Sequence, residues 1–161
     1  MKISRAAAAA MMLAFAAAPV AALDLPDFTG GEKVATKGKW EIVKLPAGCA
    51  ALYHFTAEAE LWVWGDTPET MSAAMALQPG KISATDAAFA IVLEGWKFDD
   101  MHYLGAANGQ DVVALPAPAP FFDVLRRTRM LKFTENGYLG VGMQLFGQLA
   151  ALDALGKCFT R

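Results

Sequence analysis

Serine, histidine and cysteine, the side chains behind most hydrolytic and metal chemistry, are nearly missing from this 161-residue chain. The histidines are His54 and His102, the cysteines Cys49 and Cys158, and the serines Ser4, Ser72 and Ser83. No serine sits in a Gly-x-Ser-x-Gly elbow, so the signature of a serine hydrolase is absent. There is no Cys-x-x-Cys and no cysteine beside a histidine, which removes the usual redox and zinc spacings. His54 falls on the strand face opposite Tyr53 and Phe55 and reads as solvated.

Positive charge is not in excess either. The chain has 14 Lys plus Arg against 16 Asp plus Glu, a formal charge of -2. Residues 1–22 carry Lys2 and Arg5 and no acidic residue, so their removal moves that charge to -4. Nucleic acid and anionic membrane surfaces both need a basic face, and this composition speaks against them. Beyond the first two dozen residues no apolar run approaches the roughly 18 residues of a membrane span. Internal repeats are also lacking.

What is present starts with an export signal. A basic start at Lys2 and Arg5, an uninterrupted apolar run over residues 6–18, and the small-residue site Val20-Ala21-Ala22 mark a signal peptide cut before Leu23. No cysteine follows the cut to carry a lipid. Residues 1–22 therefore read as the leader and 23–161 as a single β-rich domain, bound for the periplasm or the medium. At about 140 residues it can bury a sizeable core. In that oxidising setting Cys49 and Cys158 are expected to pair as a structural disulfide, a redox or metal role being the alternative. No cofactor is implied.

Residues 24–38 are polar, without apolar period, and read as an irregular lead-in. From Trp40 the pattern is strands. Trp40, Ile42 and Lys44 oppose Glu41, Val43 and Leu45; Pro46-Ala47-Gly48 turns the chain; Cys49, Ala51, Tyr53 and Phe55 share one face of the next strand; and residues 60–64 form a third. Residues 71–77 are ambiguous: their Ala and Met content suits a helix, while Thr70, Ser72 and Gln78-Pro79-Gly80 suit an edge strand, which is the expectation. Phe89, Ile91 and Leu93 lie on one face of a strand that bends at Gly95 toward Trp96 and Phe98. Strands at 101–104 and 111–115 bracket a hairpin-like turn at Ala106-Ala107-Asn108-Gly109. Pro116, Pro118 and Pro120 lead into a two-turn helix with Phe121, Val124 and Leu125 on one face. Asn136-Gly137, a pair that tolerates two positive φ values, joins strands at 130–134 and 138–145.

The chain ends on the stretch that organises the rest. Leu139, Val141, Met143 and Leu145 alternate with Gly140, Gly142 and Gln144 as a half-buried strand, and Gly147 breaks the alternation. A helix then begins at Gln148, with Leu149, Leu152 and Leu155 on its packing face and Gly156 as its left-handed stop. The sum is a mainly β fold of about seven to nine strands, an antiparallel β-sandwich or partly open barrel, with two short helices, one C-terminal, and one disulfide.

Three clusters merit a functional reading. Trp62 and Trp64 share a strand face while Leu61 and Val63 take the other; they are core if both faces are covered, and a binding surface if not. Asp99, Asp100 and His102, beside Tyr103 on or just before a strand, have the side chains for a divalent metal or a shared proton, but Asp99-Asp100 after Phe98 also reads as a solvated turn and His102 has no second histidine at a helical or strand spacing. Arg126, Arg127 and Arg129 with Lys132 are either an anion receptor or cations favoured at a helix end by its dipole.

The helix with Leu125-Arg126-Arg127, the strand pair joined through glycine, the strand end Leu145-Phe146-Gly147, then Ala151-Leu152 and a terminal cysteine, together resemble the invasion-associated locus B family of exported α-proteobacterial proteins. Trp40 opening the first strand and Cys49-Ala50-Ala51 opening the second agree with it. Gly95-Trp96 stands where that family has a Gly-Tyr-Pro-like segment. The resemblance implies a small disulfide-linked β domain of the cell envelope, without catalytic residues to carry over.

The expectation is thus a non-catalytic envelope domain that binds a protein or envelope component or supports the envelope. Two alternatives remain. One is a secreted inhibitor of a hydrolase such as lysozyme, presenting residues 66–69 or Asp99-Asp100; the other is a metal-dependent enzyme using Asp99, Asp100 and His102. Amino-terminal sequencing of exported protein should begin at Leu23, since a cut after Ala18 would place Pro19 first. A start before Pro19 would count against the export reading.

Overall fold

The computed structural model describes residues 25–116 and 119–160. The leader and the expected cut before Leu23 lie outside the described residues, as do Ala117 and Pro118 of the proline connector. Among the described residues ten strands and two α-helices are formed: β1 (Glu32–Lys37), β2 (Trp40–Leu45), β3 (Gly48–Thr56), β4 (Ala59–Gly65), β5 (Ser72–Leu77), β6 (Phe89–Leu93), β7 (Trp96–Ala107), β8 (Gln110–Leu115), α1 (Ala119–Leu125), β9 (Met130–Glu135), β10 (Tyr138–Gln144) and α2 (Gln148–Cys158).

All strand pairs are antiparallel, in the order β1-β2-β3-β4-β5-β8-β7-β6-β9-β10. The twelve-residue β7 makes one sheet into two layers. Its first half pairs with β6, through Trp96, Lys97, Phe98 and Met101, and its second half pairs with β8, from His102 to Ala107. The sheet curls until β2 and β3 look across the core at β10, but it does not close. This is the sandwich-like, partly open form expected from the strand pattern.

The tight turns follow their residues. Glu94-Gly95, Asn108-Gly109 and Asn136-Gly137 all have two consecutive positive φ values, the backbone that suits the twist of a two-residue hairpin. Gly48 answers a different need. At φ +121 it opens β3 against Gly65, and an added Cβ would lie 2.0 Å from the Gly65 carbonyl oxygen.

Two apolar layers result. Between the curled halves lie Trp40, Tyr53, Leu61, Met75, Phe89, Ile91, Leu93, Phe121, Leu131 and Phe133, all buried. On the outer face of β2, β3, β4, β5 and β8 lie Val43, Leu52, Trp62, Trp64, Val112 and several alanines, roofed by Leu25 and Phe28 of the lead-in with Leu45, Leu104 and Ala107. Each large apolar side chain withdrawn from water contributes about 1.5–3 kcal/mol.

Several expectations are corrected. The lead-in contains β1, whose burial alternates too little to be read because it is an edge strand with solvated side chains. Ten strands replace seven to nine. Residues 72–77 are no edge: β5 lies between β4 and β8 and is buried on both faces, which Ala73, Ala74 and Ala76 permit by their size. Gly156 does not stop α2, which continues to Cys158, while Leu149 stands exposed and Ala151, Leu152, Leu155 and Cys158 take the packing face. Leu139 is exposed too, because a bulge between Leu139 and Val141 shifts the β9–β10 register.

The disulfide is present. Cys49 at the start of β3 bonds Cys158 at the end of α2, 109 residues later, and clasps that helix onto β1, β2 and β3. By the chain-entropy account, closing a loop of this length stabilises by about 4–5 kcal/mol. The double replacement of Cys49 and Cys158 by alanine should lower stability by about that amount, with α2 amides the first to lose hydrogen-exchange protection. A melt that is the same with and without reductant would remove the clasp from the account.

Candidate functional site

Trp62 and Trp64 share one face of β4, as their spacing requires, and both indoles are covered, at 1% and 9% exposure. Phe28 meets Trp62 edge-on with ring centres 4.8 Å apart, and the Trp62 indole donates to Glu60 Oε2 at 2.8 Å. The pair is therefore the outer core and presents no open surface. Nothing in its two-residue spacing signals a roof supplied from residues 25–28.

Asp99, Asp100 and His102 are all exposed on β7, not in a turn. His102 Nε2 lies 3.1 Å from Asp100 Oδ1. Asp99 faces away from that pair to Lys97, whose ammonium, hydrogen-bonded at 3.0 Å, holds the Asp99 carboxyl below its usual range. The three are thus not gathered around one point. Among the described residues no three ligating side chains converge as a metal site would require.

His54 is exposed between two carboxylates, Glu60 at 2.7 Å and Glu41 at 3.7 Å, in a row of charges running across β1 to β4 from Lys33. The basic cluster is dispersed: Arg126 pairs with Asp153 of α2 at 2.6 Å, Arg127 donates back to the Asp123 carbonyl, and the Arg129 amide is held by Glu94.

A concave surface lies elsewhere, between the end of the β3–β4 hairpin and the middle of β10. A cleft of about 280 Å3 opens there into the core. Its apolar wall is Phe55, Ala59, Leu77, Phe133 and Val141; Gly140 and Gly142 form the β10 side. At its rim Lys81 pairs with Glu58 at 3.1 Å. Glu135 holds the other side of the rim. Burial would raise its carboxyl, but hydrogen bonds from the Ser83 hydroxyl and from the Ala84 and Ser83 amides outweigh that and keep it below the usual range. Those bonds anchor the long β5–β6 connection beside the opening.

The cleft exists because the curl is tightened at one end only. Tyr53 donates to the Gln144 carbonyl at 2.6 Å, and the Trp40 indole donates to the Phe146 carbonyl at 3.0 Å. Burial pushes the Tyr53 phenol above its usual range, so it stays protonated and remains a donor. Toward Tyr138 the two halves diverge. Sequence reading assigned Phe55, Leu77, Phe133 and Val141 to no site; the one visible signal was a pair of glycines inside an uncharged strand.

If the lead-in is the roof of the outer core, Phe28→Ala should cost about 2–4 kcal/mol and raise the quenching of Trp62 by acrylamide. In single-Trp variants, an unchanged Trp62 quenching constant would mean that Phe28 does not cover it.

No family model matches this chain, and no curated protein matches it. A structure search finds invasion associated protein B from Bartonella henselae, with a TM-score of 0.65 and 13% identity over 79% of this chain and 98% of that one. The chain is similar to that protein in fold, as the carboxy-terminal motif led one to expect.

Proposed function

We propose that this chain is an exported, non-catalytic β domain of the cell envelope that works by binding another component. One observation carries the reading. Of the six large apolar side chains exposed among the described residues, five (Met130, Tyr138, Leu139, Phe146 and Leu149) fall between positions 130 and 149, on β9, β10, the link after β10 and the start of α2. Exposed apolar groups scattered singly need no explanation, but a concentration around one open sheet edge is what an interaction surface displays. The cleft adjoins the same edge. The disulfide supports an oxidising address, and the likeness in fold to a protein titled invasion associated supports an envelope setting.

The test is photo-crosslinking in the native cell, with a benzophenone amino acid at Leu139 or Phe146 and, as the control, at Lys33 on the opposite edge. A discrete adduct from the first two and none from Lys33 is expected. No adduct at either apolar position would overturn the binding reading.

A further inference from the structure

The two edges of the sheet are treated differently. β1 carries Glu32, Lys33 and Lys37, side chains that discourage another strand from pairing. β10, Tyr-Leu-Gly-Val-Gly-Met-Gln, has no charge, and its first two side chains, Tyr138 and Leu139, are 80% and 64% exposed. Long, uncharged and apolar edges are those that accept a further strand.

The backbone of β10 points the same way. The Leu145 amide donates inward to Arg129, whereas the Gln144 carbonyl points outward and is taken by Tyr53. Backbone groups alternate sides along a strand, so the N–H and C=O of Gly142, two residues before Gln144, also point outward. Among the described residues they have no strand beyond them, because β10 is the last in the sheet. Gly142 lines the cleft. Its glycine identity is not required internally: φ is not positive there, and an added Cβ would meet nothing nearer than a Leu139 methyl at 4.0 Å. Glycine in a strand interior costs stability and marks places where another backbone comes close.

We infer that an extended peptide segment of the partner adds as an eleventh strand along Tyr138–Gly142, its backbone pairing with Gly142 and one apolar side chain entering the cleft against Phe55, Leu77, Phe133 and Val141. An extended backbone offers an acceptor and a donor to the two outward groups of Gly142 at strand spacing, and alternate side chains of an added strand point toward the core face, where the cleft lies. Tyr53 and Trp40 already occupy the carbonyls farther along, so the added strand ends before Gln144. This inference rests on the binding reading above and names the form of the ligand.

The probe is a phage library of random ten-residue peptides panned on the full mature protein, and the enriched peptides are then synthesised. Peptides with an apolar or aromatic residue flanked by strand formers are expected. Gly142→Pro, which deletes the outward N–H at an edge position where proline is tolerated, should weaken them by at least about tenfold, while Lys33→Ala on the opposite edge binds as wild type does. Methylating the peptide amide that pairs with β10 should have a similar effect on the unaltered protein, which keeps the test valid should Gly142→Pro not fold. No enriched peptide, equal binding by a folded Gly142→Pro, or a concentration-dependent dimer of the free protein abolished by Gly142→Pro would overturn the inference. Crosslinks from Leu139 that persist in such a case would leave the binding reading standing; loss of both would remove it.

Discussion

Every backbone N–H and C=O at the edge of a sheet must find a partner or face water, and the shape of this protein follows from how its two edges meet that demand. At β1 the answer is charge on the strand and α2 packed beside it. At β10 it is a pair of side-chain donors, Tyr53 and Trp40, reaching carbonyls 91 and 106 residues away. These two hydrogen bonds hold the curl of the sheet at one end. Where they stop, the halves part and the core opens as the cleft.

The curl also explains why so short a chain has apolar residues on both sides of its middle strands. β4 and β5 are buried on both faces, by the packed core within and by the lead-in outside. Alanine dominates β5 because the layers on either side leave little room. A few kcal/mol from each roofing side chain, and a similar amount from the disulfide, are large against a typical net stability of about 5–15 kcal/mol. The roof and the clasp are therefore structural needs of a sheet that does not close.

Titratable groups are arranged in solvated pairs: Lys97 with Asp99, His102 with Asp100, Lys81 with Glu58, Arg126 with Asp153. Such exposed pairs contribute about 0–1 kcal/mol each and position nothing in a cavity. The polar group with a more definite task is Glu135, whose three hydrogen bonds from Ser83 and Ala84 fix the loop beside the cleft. The opening itself is walled by apolar side chains and by the glycines of β10.

Local information was enough for much of this. Period-two alternation identified β2, β3, β6 and β10; turn residues bracketed β4, β8 and β9; Asn136-Gly137 marked one hairpin; and two cysteines, given the oxidising compartment expected of the chain, announced their pairing, because each of these depends only on neighbours in the chain or on that expectation. The rest depended on what came to lie opposite. β1 is polar and lies at an edge, Leu139 is exposed beside a one-residue bulge, and Gly156 lies inside α2, whose last residue, Cys158, is held by the disulfide. The indoles of Trp62 and Trp64 are core only because residues 25–28 fold back over them. The cleft is the clearest case: Phe55, Leu77, Phe133 and Val141 come from four strands spread over some 90 positions, each with the pattern of an ordinary core residue. Sequence determined the strands, the turns and the disulfide; the curl of the sheet, a balance of long-range packing and two distant hydrogen bonds, decided which of those residues would line the cleft.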